Sequence, residues 1–283
     1  MEFIPQTLSQ NTPICYYFSL FNEVTTVPYF ELTLILYFFG AGLFVTSLAV
    51  RTNILSSLAV GMTAFGFVLH SAVLHTLLFG TNHAALSTLY DVMVFFAWGL
   101  ILTFLIVEYV NRIPVLGSFV LPLAVLALIF AATVRKDLHV LEPVLSNIWL
   151  HVVMTVSGTV AFALAFVAGI MYLLQERLLK SRRFTPMYYK LPPLDFLDNL
   201  NRKSILLGFP LLTLGIAAGA VWANFVSGSY WNWDPKQIST ALTWLFYLIV
   251  LLGRVMLGWR AKHAAYLTIV GFAGVLITFA NVG

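Results

Sequence analysis

The sequence is poor in charged residues and contains a single cysteine. Only 9% of its 283 residues are Asp, Glu, Lys or Arg, whereas about a quarter of residues are charged in soluble globular domains. Hydrophobic residues make up 60% of the chain, and the mean hydropathy is +0.93. This composition excludes a soluble domain and indicates an integral membrane protein. Because Cys15 is alone, the chain has no internal disulfide, no CxxC thiol pair and no CxxCH site for covalent haem.

Strands of about ten residues with alternating polarity are also absent, which argues against a transmembrane barrel. Eight apolar runs reach roughly the 20 residues that a helix needs to cross about 30 Å of hydrocarbon. We therefore predict an all-α integral membrane protein, a bundle of about eight transmembrane helices that forms one domain over residues 1–283. No charged segment with a small-residue cleavage site precedes the first run, so we predict no removable signal peptide. The predicted spans are 30–50, 54–78, 89–110, 116–134, 149–174, 204–226, 238–257 and 263–282.

Lys and Arg are distributed unequally between alternate loops. Twelve belong to the loops on one side of the predicted bundle, and only Arg135, Lys136 and Lys236 belong to the other side. The positive-inside rule then places both termini outside, on the non-cytoplasmic face. We attribute the net charge of +4 to the membrane topology and to basic residues that contact lipid headgroups, so we infer no nucleic-acid binding. The longest basic connection, residues 175–203, is interrupted by prolines and is predicted to contain a short interfacial helix.

Residues 222–237, WANFVSGSYWNWDPKQ, are the most distinctive segment and are called the tryptophan loop below. Three of the seven tryptophans of the chain lie in it, between two apolar runs and on the predicted external face. Flat aromatic side chains next to an acid and a base can bind a large planar ligand such as a porphyrin. Aromatic belts also occur at membrane interfaces without a ligand, so the tryptophans alone do not decide the function. The side chains of interest are Trp222, Tyr230, Trp231, Trp233, Asp234 and Lys236.

The histidines are candidate iron ligands, because imidazole is a common axial ligand of haem and an ionisable group inside a membrane span is costly. His70 and His75 share the second predicted span, but five residues place them about 140° apart around a helix, so they do not form one ligand pair. His151 opens the fifth span on the same predicted side as the tryptophan loop. Hydrogen bonding to headgroups or backbone is the alternative role for such residues. The six histidines are His70, His75, His83, His139, His151 and His263.

Residues 208–254, which include the tryptophan loop, resemble the WWD region of the haem-handling proteins of cytochrome c maturation, in particular the CcsA/ResC type of the system II synthetase. Residues 148–177 and 69–98 resemble the histidine-bearing span and the N-terminal signature of the same family. The resemblance implies an eight-helix protein that binds haem b without covalent bonds. It further implies that the protein presents haem at the external face for thioether attachment to the CxxCH motif of an apocytochrome c.

The resemblance also implies in which membrane the protein lies and with which partner it acts. The membrane is expected to be a bacterial inner or plasma membrane, or a thylakoid-type membrane. The catalytic unit is expected to be a complex with a ResB-type membrane partner, so this chain alone acts as a binding and presenting module.

Individual roles follow from the resemblance in the same way. His151 matches the external axial histidine, and His70 and His83 match histidines of the early signature, while His75 has no counterpart. His83 or His139 is expected to be the second iron ligand. Among the motif residues, Trp222, Trp231 and Trp233 are expected to pack on the haem ring, Lys236 to pair with a propionate and Asp234 to cap the next helix. The positions that match the WWD motif are Trp222, Gly228, Tyr230, Trp231, Trp233, Asp234, Pro235 and Lys236.

The sequence departs from the family at several positions. Ser227 occupies a position where the family usually has a further tryptophan. Phe225 and Gln237 occupy positions where the family commonly has acidic residues. Leu252 replaces the histidine of the seventh span, and the sequence stops at Gly283, before the tail that usually supplies a second external histidine. The missing histidine at Leu252 and the early stop favour an alternative, a HemX-like membrane regulator of tetrapyrrole synthesis, whereas the nearly intact WNWDPK motif favours haem handling. A second alternative, a haem b subunit of a respiratory quinol oxidoreductase, would need pairs of histidines on facing helices, and His70 with His75 is not such a pair. A transporter would need paired broken helices in corresponding halves, which the sequence does not indicate.

Overall fold

The computed structural model describes residues 13–50, 53–79, 86, 88–134, 149–182, 185–259 and 261–280, with side chains from residue 28 to residue 279 of these ranges. All regular structure within these ranges is helical, and eight helices are long and apolar enough to cross a membrane. The predicted all-α membrane bundle is therefore confirmed. The helices are α1 (Pro13–Ala49), α2 (Ile54–Phe79), α3 (Leu89–Asn111), α4 (Gly117–Val134), α5 (Trp149–Lys180), α6 (Pro186–Lys190), α7 (Leu194–Ser227), α8 (Pro235–Val255) and α9 (Ala261–Ala280), with a 3₁₀ turn at Pro114–Leu116.

The helices form two groups that meet at α5. In the first group α1 packs on α2 and α4, and α3 packs on α4; in the second group α5 packs on α7 and α9, and α8 packs on α9. Contacts between α3 and α5 join the groups. The long α5 therefore stands at the centre of the bundle, and the site described below is built around its first turns.

Close approach of α5 and α7 depends on two facing glycines. A Cβ atom at Gly158 would lie 2.9 Å from the backbone nitrogen of Leu212 and 3.0 Å from the carbonyl oxygen of Gly208. Small residues of this kind let transmembrane helices approach until their backbones touch, and dispersion contacts then hold the pair. Farther along α7, the Asn201 side chain donates to the Ala165 carbonyl oxygen of α5 at 2.7 Å.

The sixth span was predicted to begin at residue 204, but the helix that contains it, α7, begins ten residues earlier, at Leu194. Hydropathy misses the first three turns of α7 because they carry Asp198, Asn201 and other polar residues, yet Asn201 is buried against α5. The fifth helix likewise continues to Lys180. The connection between them is therefore much shorter than predicted, and the short helix expected there is α6, whose first residue is Pro186.

A cavity beside the tryptophan loop

The non-helical part of the tryptophan loop, residues 228–234, is closed at both ends by helix caps. Helix α7 ends at Ser227 and is capped by Gly228, whose backbone is left-handed (φ 70°) and whose N–H donates to the Asn224 carbonyl oxygen at 3.0 Å. A left-handed cap of this kind favours glycine because a Cβ atom is strained there. Helix α8 begins after Asp234, whose Oδ1 accepts a hydrogen bond from the Gln237 backbone N–H at 2.8 Å, with Pro235 as the first helical residue. The predicted cap at Asp234 is therefore present.

Polar side chains at two of the positions that depart from the family fold the loop on itself. The Gln237 Oε1 atom accepts from the Asn232 backbone N–H at 2.8 Å. The Asn232 side chain in turn donates from Nδ2 to the Ser227 hydroxyl at 3.1 Å, and that hydroxyl donates to the Ala223 carbonyl oxygen at 2.9 Å. Ser227 and Gln237 thus hold the loop in a closed conformation.

A cavity of about 370 Å³ lies beneath the loop, between the start of α3 and helices α5, α7, α8 and α9. Its volume falls in the range of roughly 300–1,000 Å³ that is typical of small-molecule sites. Six residues of the tryptophan loop line it, and His151 from α5 joins them. The lining residues that were predicted from sequence are His151, Trp222, Tyr230, Trp231, Asp234 and Lys236.

The interior of this cavity is less polar than its loop end. Several threonines line it, and most of their hydroxyls donate to carbonyl oxygens of their own helices, while Thr243 of α8 pairs with Thr278 of α9. Thr155 donates to the His151 carbonyl oxygen at 2.7 Å, and Thr240 donates to the Lys236 carbonyl oxygen at 2.7 Å. These hydroxyls are satisfied within their own helices, and valine and leucine side chains complete the wall. The cavity therefore suits an amphipathic ligand with its charged end at the loop.

His151 lies half-buried in the first turn of α5. Its Nδ1 atom is 2.7 Å from the Gly215 carbonyl oxygen of α7. A carbonyl oxygen only accepts hydrogen bonds, so Nδ1 carries the proton and donates. In the neutral imidazole the lone pair is then on Nε2, which is the nitrogen left for a metal.

Two tryptophans of the cavity wall have indole N–H groups without a partner. The Nε1 atoms of Trp222 and Trp231 are buried and make no hydrogen bond to any described residue. Buried polar groups in proteins are nearly always hydrogen-bonded, so an unpaired donor in a cavity wall points to a bound molecule or water. Two such donors together with the ammonium group of Lys236 form a set that fits carboxylate groups.

The remaining predicted site residues that the structure describes, Trp233 and His70, do not line this cavity. The Trp233 side chain is 75% exposed, its backbone is left-handed (φ 58°), and its ring meets the edge of Trp231 at a centroid distance of 5.7 Å. His70 is buried between α2 and α1, with Nδ1 3.3 Å from the Tyr37 hydroxyl oxygen. His75 is exposed and packs on Phe79, so the two histidines of α2 do face different sides, as predicted.

His83 and His139 lie outside the described residues. His263 is exposed at the start of α9, at the end of the bundle away from the tryptophan loop. Among the described residues no three His, Cys, Asp or Glu side chains form a metal site. An iron that arrives inside a porphyrin needs only one or two protein ligands, so this finding is compatible with a haem site.

Sequence reasoning missed the glycines of α7 and the threonines of the cavity. Gly215 and Gly219 contact the first turns of α5, where Gly219 faces the His151 ring. Their spacing of four residues on an apolar helix is the only signal, and it indicates close helix packing without naming the partner. The hydrogen bond between His151 and Gly215 joins residues 64 positions apart.

These features define a class: an all-helical membrane protein with a ligand cavity under a tryptophan-rich loop and a histidine in its wall. The family model for cytochrome C assembly protein matches residues 86–282. The chain belongs to this family, and it acts in cytochrome c biogenesis. The family match begins at Leu86, the first described residue along the chain that lines the cavity.

Individual relatives agree with this family. The chain is 29% identical over 286 residues to a cytochrome c biogenesis protein CcsA of Guillardia theta, covering 94% of both chains. It is 33% identical over 229 residues to CcsA of Prochlorococcus marinus (strain AS9601), covering 71% of this chain and 74% of the relative. It is 36% identical over 214 residues to CcsA of Chlamydomonas reinhardtii, covering 71% of this chain and 59% of the relative.

A solved structure titled cytochrome c heme lyase CcmF shares the fold, with a TM-score of 0.64 and 17% sequence identity. The match covers 99% of this chain and 48% of that chain, so the present chain spans about half its length. None of these comparisons favours the HemX-like regulator or the respiratory quinol subunit.

Proposed function

We propose that this protein binds haem b without covalent bonds in the cavity beside the tryptophan loop and presents it for attachment to an apocytochrome c. The observation that carries the proposal is His151, whose Nδ1 is held by the Gly215 carbonyl oxygen at 2.7 Å while its ring lines that cavity. Metal-bound histidines usually donate their other nitrogen to a carbonyl or carboxylate in this way. Membership of the cytochrome c assembly family supports the choice of haem.

Different residues of this chain would bind the iron, the porphyrin ring and the propionates of haem. His151 would ligate iron through Nε2. Trp222 and Trp231 would border the porphyrin, and burial of its apolar area contributes several kcal/mol at about 25 cal/mol per Å². Their indole N–H groups, with Lys236 and the exposed Tyr230 at the mouth of the cavity, would bind the propionates. Asp234 acts on the loop through its helix cap.

The second iron ligand is proposed to be His83, with His139 as the substitute. Leu86, which lines the cavity, lies three residues after His83, and three residues of extended chain reach about 10 Å. His70, matched by resemblance, is packed against Tyr37 and does not line the cavity. We therefore propose a supporting role in the α1–α2 contact for His70.

Attachment itself adds each apocytochrome thiol across a haem vinyl group. The sulfur bonds to the vinyl carbon next to the ring, the thiol hydrogen goes to the terminal carbon, and no net oxidation occurs. This chain would hold the acceptor in place, while a ResB-type membrane partner would complete the lyase. The unequal distribution of Lys and Arg supports a tryptophan loop on the non-cytoplasmic side, with both termini outside, in a bacterial plasma or thylakoid-type membrane.

The test is the spectrum and haem content of the purified protein. We expect a low-spin haem in the wild-type protein that is largely lost in His151→Ala and retained in His263→Ala, an exposed histidine at the opposite end of the bundle. Reduced-minus-oxidised spectra and the pyridine haemochrome give both quantities. Equal haem in both variants would contradict the proposal. A wild-type protein free of haem, purified with its partner, would instead support the HemX-like regulator.

A further inference from the structure

Two glycines one turn apart on α7 set the contact with the start of α5. A Cβ atom at Gly219 would lie 2.6 Å from His151 Nδ1 and 2.7 Å from Cε1 of the same ring. A Cβ atom at Gly215 would lie 2.5 Å from Thr155 Cγ2 and 2.8 Å from the Thr155 backbone nitrogen. These distances are shorter than real Cβ contacts, so any larger residue would move either the ring or the helix.

The close approach has a chemical result. It brings the Gly215 carbonyl oxygen within 2.7 Å of His151 Nδ1, which must donate. That carbonyl belongs to the backbone of a long helix, so its position is set by helix packing and not by a rotamer. The edge of the ring that carries Nδ1 and Cε1 lies against Gly219. Tautomer and ring orientation of His151 are thus fixed together by one helix.

We propose that Gly215 and Gly219 are positioning residues, which fix His151 in the tautomer and orientation that present Nε2 to a haem iron. The inference rests on the proposed function, because it takes haem iron as the metal. It goes further by assigning the tautomer and orientation of the proposed iron ligand to backbone packing on α7. Removal of a partner that orients a metal-bound histidine commonly weakens metal binding about 10–100-fold.

The competing explanation is that these glycines only pack α5 against α7. The same interface supplies a control farther along α7. A Cβ atom at Gly208 would lie 2.8 Å from Phe162 Cε1 and 3.0 Å from the Gly158 carbonyl oxygen. Gly208→Ala is therefore nearly as crowded as Gly219→Ala, and none of the nearest atoms around its Cβ belongs to His151. Packing alone predicts the same outcome for both variants.

The first measurement uses the haem-free protein. Nitrogen-15 NMR of labelled imidazoles reports which ring nitrogen of His151 carries the proton, and His151→Ala identifies the signal. We expect His151 in the wild-type protein and in Gly208→Ala to be protonated at Nδ1. In Gly219→Ala the displaced ring should show a mixture of both tautomers. An unchanged Nδ1–H signal in Gly219→Ala would overturn the inference.

The second measurement is haem titration with absorption and EPR spectra. We expect Gly219→Ala to bind haem about 10–100-fold more weakly and to shift from low spin toward high spin. Gly208→Ala should lose thermal stability but keep the low-spin spectrum. If Gly219→Ala folds poorly, Gly215→Ala replaces it in the test. Its added methyl group meets Thr155 and not the His151 ring, and we expect the same spectral change. Identical spectra in the wild-type protein and in either of these two variants would overturn the inference.

The two proposals fail in different ways. If His151→Ala keeps a normal haem, the proposed function is wrong, whereas the tautomer measurement still tests the glycines without haem. If His151→Ala loses haem while Gly219→Ala binds it as the wild-type protein does, the function stands and the positioning role is wrong.

Discussion

Asp198 on α7 and Arg254 on α8 form an ion pair at the end of the bundle away from the tryptophan loop. The Arg254 Nη2 atom lies 2.6 Å from Asp198 Oδ1 and also donates to the Asp198 backbone carbonyl oxygen at 3.2 Å. The Arg254 side chain is only 5% exposed, and that of Asp198 is 36% exposed. Helices α7 and α8, which the tryptophan loop joins at one end, are therefore tied together at the other end as well.

Asp198→Ala should destabilise the bundle by about 1–3 kcal/mol. The figure is lower than the roughly 3–5 kcal/mol for a fully buried pair, because solvent screens the partly exposed Asp198. The cost arises because a buried guanidinium loses its counter-ion. Thermal unfolding in detergent measures the change, with the exposed Arg202→Ala as control. A melting temperature equal to that of the wild-type protein would show that the pair contributes little.

Trp231→Ala should reduce bound haem several-fold, and Trp233→Ala should have a smaller effect. Trp231 lines the cavity with a buried indole N–H, whereas Trp233 is mostly exposed and only meets the edge of Trp231. The pyridine haemochrome assay on protein purified at matched expression gives the comparison. Equal losses in the two variants would mean that Trp233 contacts the ligand directly.

Lys236→Ala should weaken binding of haem about tenfold, because Lys236 is proposed to pair with a propionate. Haem dimethyl ester lacks the propionate charges, so its affinity should change little in the same variant. Lys236→Arg, which keeps the positive charge, should bind haem almost normally. Titration of the haem-free protein with both ligands makes the test. An equal loss for haem and its dimethyl ester would assign Lys236 a structural role instead.

Gln237→Ala should open the tryptophan loop and lower haem occupancy, because it removes the acceptor of the Asn232 backbone N–H. Gln237→Glu should behave like the wild-type protein, since only one side-chain oxygen is used as an acceptor. Limited proteolysis of the loop reports its opening independently of haem. Greater cleavage in Gln237→Glu than in Gln237→Ala would contradict the assigned role.

The number and type of the helices follow from the sequence, because burial in lipid demands long apolar runs whatever their packing. The start of α7 does not follow, since its polar first turns are buried only by tertiary partners. Asn201, for example, bonds to α5 and to Thr268 of α9. A hydropathy window averages over consecutive residues, so it does not detect partners that are distant in the sequence.

The candidate site was predictable in composition but not in arrangement. The tryptophan loop and His151 stand out from the sequence, and six of the residues predicted there do line one cavity. A loop has no periodicity, so the sequence could not tell that Trp231 turns inward while Trp233 turns outward. The pairing of His151 with Gly215 depends on two helices whose contact no local pattern specifies.

No described side chain of α1 or α2 lines the cavity, and Leu86 is the first described residue of its wall along the chain. The first two helices pack on each other and on α3 and α4, with His70 and Tyr37 joining them. This hairpin is a peripheral layer, and substitutions on its lipid-facing side can adapt the protein to a different bilayer thickness or neighbour. Such changes would leave the described side chains of the cavity wall untouched, so adaptation to a membrane and choice of ligand are separable for this part of the architecture.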